Sequence, residues 1–249
     1  SAGTFHSCVR RRGGRVTCWG DGEFAQTGAP AGESSGRAVA VRNISDSAQL
    51  DSGLAHSCSV RHSGGISCWG QNLFGQLGSG AGAASLDQPP ASPVADVKAN
   101  DATEVGTGDG FTCARRRTGA IACWGRNDRG QLGSGTETNW TTRIPVKSVT
   151  SAVSLSAGPQ HACVARSDGS VLCWGDNTAG QLGRAGTKLS RVPVAARFAP
   201  GVKAVAAGGK HTCGLLRSGH VQCVGDNSYG QHGDGVTNFI TTAVRVLGL

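Results

Sequence analysis

The chain has 249 residues, with 40 glycines, ten cysteines, no methionine and a formal net charge of +8. That length suffices for one large domain with an ample core, and no apolar run is long enough to cross a membrane as a helix. No signal peptide stands at the start, and the lack of methionine is expected of a processed chain or of a piece of a longer one.

The elements recur in chain order. Five C-x9-C pairs follow one another: Cys8 with Cys18, Cys58 with Cys68, Cys113 with Cys123, Cys163 with Cys173, and Cys213 with Cys223. No C-x2-4-C zinc knuckle occurs, so an even number of cysteines at fixed spacing points to disulfides in an oxidising compartment. Six residues after each first cysteine stands Gly14, Gly64, Gly119, Gly169 or Gly219, and two further on Val16, Ile66, Ile121, Val171 or Val221. Tryptophan follows the second cysteine at Trp19, Trp69, Trp124 and Trp174, with Val224 in the last repeat. Gln26, Gln76, Gln131, Gln181 and Gln231 then close each motif.

Each pair reads as a hairpin. Arg166-Ser167-Asp168-Gly169 suits a three-residue loop whose glycine takes φ > 0 as a G1 bulge. That loop sets Cys163 opposite Cys173 on a non-hydrogen-bonded rung, where Cα atoms are about 4.5 Å apart. A strand precedes the hairpin in Val202-x-x-Val205, and an outer strand follows in Arg191-Val-Pro-Val194, with its proline tolerated at an edge. The reading is therefore all-β: four strands per repeat, apolar on both faces, stacked between like neighbours as in a propeller.

The pattern G-x-x-H-x-C…G-x-V-x-C-W-G-x-N-x-x-G-Q-L-G resembles the repeat named for the regulator of chromosome condensation. The likeness covers almost the whole chain, five times over. It implies a single β-propeller domain over residues 1–249, with five four-stranded blades and one disulfide in each. That family commonly has seven blades, and its intracellular members carry apolar or small residues where cysteines stand here. This variant is similar to cysteine-bearing repeats of secreted and surface proteins. Ser1-Ala2-Gly3 aligns with Ser156-Ala157-Gly158, so the strand ahead of the first hairpin is missing. The reading leaves open a closed five-bladed ring, an arc of a larger propeller, or a seam completed by self-association or another chain.

Candidate chemistry has a structural alternative at each place. His6, His56, His161 and His211, with Phe111 in the third repeat, could form a metal-binding ring. The resemblance implies instead that each imidazole satisfies backbone groups, and the phenylalanine breaks a metal ring. Asp176, Asp226, Asn72, Asn127, Asn177 and Asn227 repeat beside glycine, as turn formers do. No metal, cofactor or catalytic residue is expected, and the chain reads as no enzyme.

Basic residues gather at the hairpin tips: Arg11, Arg12, Arg61, Arg116, Arg117, Arg166 and Arg217. They are either a solvated rim or a face for an anionic protein or glycan. Nucleic acid is disfavoured by the disulfides and by scarce tyrosine. Loops after the Gln-x-Gly turns, including 80–94, vary most, which is where recognition usually resides. Trp140 and Phe239 lie in two of them, either as interface anchors or packed under their loops. Asn43 and Asn139 open glycosylation sequons.

The functional expectation is a secreted or cell-surface module, binding or structural, that recognises a protein or glycan partner. Two alternatives follow from the resemblance: a secreted protein inhibitor of an extracellular enzyme, and a guanine-nucleotide exchange factor like the family's namesake. No exchange-surface residue can be mapped onto this chain for the latter.

Overall fold

The computed structural model of the chain describes residues 1–80, 94–96 and 100–248. The variable loop expected over 80–94 lies almost wholly outside them. The chain divides into two compact units: Ser1–Arg117 with Cys123–Arg126 and Asn139–Ile144, and Thr118–Ala122 with Asn127–Thr138 and Pro145–Leu249.

The first unit opens with β1 (His6–Arg10), β2 (Val16–Gly20) and β3 (Ser35–Ala40), paired in that order. Next come β4 (Ser47–Ser52), β5 (His56–Arg61), β6 (Ile66–Gly70) and β7 (Val94–Asp96), again in sequence order. A third sheet, most of it in this unit, orders β8 (Ala102–Thr107), β9 (Phe111–Arg116), β10 (Ile121–Gly125) and β11 (Trp140–Pro145). The second unit carries β12 (Ala152–Ala157), β13 (His161–Arg166), β14 (Val171–Asp176) and β15 (Leu189–Ala195) in one sheet. Its other sheet holds β16 (Val202–Ala207), β17 (His211–Leu216), β18 (Val221–Gly225) and β19 (Ile240–Arg245). Four sheets thus have four strands and the first has three. The absent strand is the one that the alignment of Ser1-Ala2-Gly3 leaves out. Ser1 and Ala2 begin to cover that edge: the Cys8 amide donates to the Ser1 carbonyl at 3.0 Å, and Ala2 bridges to Ser7.

The hairpins follow the turn chemistry. Arg166 N–H donates to Ser170 O at 2.9 Å, and Gly169 N–H donates to Arg166 O at 2.9 Å. Gly169 has φ +83°, a left-handed conformation that costs other residues strain. A methyl there would also lie 2.7 Å from the Gly201 backbone.

The cysteines of every hairpin stand directly opposite each other, as the turn dictates. Disulfides join Cys8 to Cys18, Cys58 to Cys68 and Cys113 to Cys123. The same bond joins Cys163 to Cys173 and Cys213 to Cys223 in the second unit. Their Cα separations are 4.0–4.1 Å, somewhat closer than the rung spacing expected from the sequence. Cys18 and Cys223 are buried along with the other second cysteines, whereas Cys213 of the fifth blade is only half-buried, so four of the staples lie wholly inside packed faces.

Cores form where one blade lies on the next. Cys58, Val60, Ile66 and Cys68 of the second blade pack with Ala102, Val105 and Trp124 of the third. Cys163, Val171 and Cys173 of the fourth pack with Val202 and Val205 of the fifth. The innermost strands would leave an edge of unpaired amides, which invites pairing with foreign strands. Side chains of the preceding blade occupy it. Gln49 accepts from Val105 N–H at 3.0 Å and Asp51 from Thr107 N–H at 2.8 Å in the first unit. Ser154 and Ser156 accept from Val205 and Ala207 N–H in the second. Burial pushes the Asp51 carboxyl above its ordinary pKa, against the opposing pull of these donors.

Candidate functional site

The recurring histidines are blade joints. His6 Nε2 lies 2.7 Å from Ser57 Oγ, His56 Nε2 2.9 Å from Thr112 Oγ1, and His161 Nε2 2.9 Å from Thr212 Oγ1. Each hydroxyl belongs to the next blade, so the imidazole meets a side chain where the family resemblance implied backbone groups. The hydroxyl proton is already committed: Thr212 Oγ1 donates to Gln181 O at 2.8 Å and Thr112 Oγ1 to Gln76 O at 2.9 Å. Nε2 must therefore carry the hydrogen and donate, leaving Nδ1 bare. Burial disfavours the imidazolium, lowering His6 and His161 to about 4 and His56 to about 3.

The motif glycine before each histidine has its own packing reason. A methyl on Gly158 would meet Gly208 O at 2.4 Å and the His161 ring at 2.6 Å.

Each buried tryptophan donates to the motif glutamine carbonyl of the preceding blade: Trp69 to Gln26, Trp124 to Gln76 and Trp174 to Gln131, at 2.8–3.0 Å. Val224 lacks that N–H, and Gln181 O keeps the Thr212 hydroxyl as donor, where Gln76 O receives both Thr112 and Trp124. The turn Asx residues are structural too. Asn177 accepts from Leu182 N–H and donates to Arg184 O and Thr187 O, while Asp176 accepts from the Gln181 amide. Among the described residues no three His, Cys, Asp or Glu side chains gather as a metal set.

In each unit the hairpin tips share one end, and most of their arginines are engaged. Arg61 pairs with Asp46 at 3.4 Å and donates to Asn43 O; Arg116 binds Asp101 at 2.8 Å. Arg166 pairs with Asp168 at 3.0 Å, and Arg217 donates to Ser167 O on the neighbouring tip at 2.8 Å. Arg11, Arg12 and Arg117 are exposed, with no side-chain partner among the described residues. Asn43, with φ +60°, and Asn139 are exposed.

Trp140 opens β11 and is 41% exposed; Phe239, just before the Ile240–Gly225 pair, is 66% exposed. Neither is tucked under its loop. Tyr229, 92% exposed, and Phe5 are exposed aromatics that the sequence reading passed over. Their signal lay in the motif's variable x positions, which it treated as spacers. Phe5 joins Phe24, Leu54, Ala55, Gln71, Asp21 and Glu23 around a cleft of about 320 Å³ in the first unit, at the end away from the tips.

Stapled hairpins whose repeated residues hold blade to blade define a repeat β-propeller fold. Models of the regulator of chromosome condensation (RCC1) repeat match residues 1–26, 102–131, 152–181 and 202–231, and residues 118–165 and 168–215. Together they take in more than half of the chain, which belongs to this repeat family. No curated protein sequence matches the chain. Among solved structures, human WBSCR16 matches with TM-score 0.85 at 23% identity, over 98% of this chain and 65% of that one. Prp20p from Saccharomyces cerevisiae, described with its binding properties to Gsp1p and histones, gives 0.81 at 19%, over 97% and 61%. The ectodomain of the Physcomitrella patens receptor kinase CR4 gives 0.56 at 21%, over 93% and 52%. The chain thus spans less than two thirds of the length of each.

Proposed function

We propose that the chain is a secreted or cell-surface binding module: one propeller domain, without catalytic activity, that recognises a protein partner. The observation that carries this reading is the division of labour within the repeat. Histidine, tryptophan, glutamine and cysteine are consumed in holding blades together, while the exposed aromatics stand at positions that differ between blades. Five disulfides and no free cysteine fit an oxidising compartment. Prp20p is described with its binding properties to Gsp1p and histones, and the Physcomitrella patens structure is a receptor-kinase ectodomain, so the same fold serves both uses elsewhere.

Trp140 and Phe239 are the anchors of this reading, and Arg11, Arg12 and Arg117 supply attraction for an acidic protein or anionic glycan. Capture from a native extracellular fraction, with disulfides intact, should yield a stoichiometric protein complex. Replacing Trp140 and Phe239 by alanine should weaken it at least tenfold, and binding through the arginines should fall with added salt. Unchanged capture by the double variant overturns the assignment of these anchors, and nucleotide release from a small GTPase would replace the reading with exchange activity.

A second reading concerns the seam. Trp19 is 37% exposed, whereas the equivalent Trp69, Trp124 and Trp174 are covered, and half-buried His211 has no hydroxyl partner among the described residues. Each is one half of a blade joint, and we infer that further blades, of a longer chain, a second copy or another protein, engage them. Light scattering should then detect association that Trp19→Asp abolishes; a strictly monomeric chain at high concentration overturns self-association.

A further inference from the structure

The repeat allows one junction of the first unit to be compared with the next, position by position. At the second junction, Phe74 of the second blade faces Asp109, Gly110 and Arg126 of the third. Arg126 Cζ stands 5.2 Å from the Phe74 ring centroid, and its Nη1 donates to Asp109 Oδ2 at 2.9 Å. A guanidinium thus caps the aromatic ring and is held by a carboxylate, an arrangement that suits the planar, weakly hydrated arginine head.

At the first junction the same positions are Phe24, Leu54, Ala55 and Gln71. Equivalence is set by the backbone: Gln71 N–H donates to Ala55 O at 2.9 Å as Arg126 N–H donates to Gly110 O at 2.8 Å. No cation is present among the lining residues. Gln71 is neutral, and its Oε1 accepts from the Gln76 amide of its own blade at 3.3 Å. The ring that Arg126 would cover instead lines the cleft of about 320 Å³, beside Phe5, Leu54 and Ala55. Two carboxylates line it as well. Asp21 is held by Gln26 and Ser34, whereas the exposed Glu23 carboxylate has no partner among the described residues. The chain is basic as a whole, yet this cleft is apolar and negatively charged.

We propose that this cleft is a receptor for an arginine side chain of a partner protein, which docks as Arg126 does one blade further on. The guanidinium stacks on Phe24, its methylene stem lies against Phe5 and Leu54, and its charge meets Glu23, with Asp21 adding to the local potential. This deepens the binding-module reading and rests on it for the partner, but the cleft's affinity for a guanidinium can be measured alone.

The test uses the full, oxidised chain and the probe N-acetyl-arginine amide, followed by the backbone amide resonances of Phe24, Leu54 and Gln71. The probe should shift these signals saturably, and the neutral citrulline analogue should bind at least about fivefold more weakly. Glu23→Gln, at an exposed position that leaves the fold intact, should weaken binding about two- to fivefold. Gln71→Arg should fill the cleft from within and abolish binding. Absence of saturable shifts, equal binding of the citrulline analogue, or undiminished binding by Gln71→Arg overturns the proposal. Loss of partner capture by Trp140 and Phe239 variants with the probe still bound would separate the two readings.

Discussion

The first and fourth blades carry the same hairpin and differ in what lies upon it. In both, a disulfide joins Cα atoms 4.1 Å apart, and the turn glycine has φ +78° or +83°. Trp174 is nonetheless wholly covered and donates to Gln131 O, while Trp19 keeps more than a third of its surface in solvent and has no acceptor among the described residues. The conformation of a motif residue is a local matter. Its contribution to stability belongs to the neighbouring blade.

That contrast can be broken by mutation. Trp174→Ala should cost about 3–5 kcal/mol, through an unfilled core and an orphaned carbonyl, against about 1 kcal/mol for Trp19→Ala, read by urea denaturation. Equal losses would refute the difference in burial. Replacing Cys163 and Cys173 together by serine should remove roughly 2–3 kcal/mol, the chain entropy of a short loop. Replacing Cys8 and Cys18 together should cost the same, because that contribution ignores neighbours.

The turn glycines sharpen the comparison further. Gly169→Ala combines forced φ > 0 with a 2.7 Å approach to Gly201 and should cost about 1–3 kcal/mol. Gly219, at φ +93° with nothing within 4 Å, should cost only about 1 kcal/mol from conformation.

Acid sensitivity offers a further test of the blade joints. His161 titrates at about 4 when folded against 6.5 when unfolded, so the unfolded chain binds more protons between those values. Stability should fall as pH drops from 6.5 towards 4, by at most about 1.4 kcal/mol per pH unit for each such histidine. His161→Gln should flatten that slope; an unchanged slope in His161→Gln would show that this imidazole is not held neutral.

Much of the fold was legible because its signals are local. Period-two alternation, the glycine at the bulge and the C-x9-C spacing each act within one hairpin, so register and disulfide pairing could be counted from the turn. The missing strand of the first sheet was legible for the same reason, by alignment with Ser156-Ala157-Gly158. The site was less so. A run of arginines reads as a charged rim, but carboxylates that pair with them, such as Asp46 and Asp101, come from the linkers, and only folding brings them near. Phe5 and Phe24 are separated by a whole hairpin, and Leu54 comes from another blade, so the cleft they line has no signature in any single repeat.

The amino-acid sequence alone determined the blade: its strands, its turn, its staple and its fivefold recurrence, since backbone sterics and short loops need only neighbouring residues. Tertiary structure decided which identical residues are equal in effect. Whether tryptophan is core or surface, whether histidine is held neutral, and whether a phenylalanine is capped by arginine or left open all depend on the side chain that the adjacent blade brings. Burial and hydrogen bonding act through space, between groups some fifty residues apart in the chain.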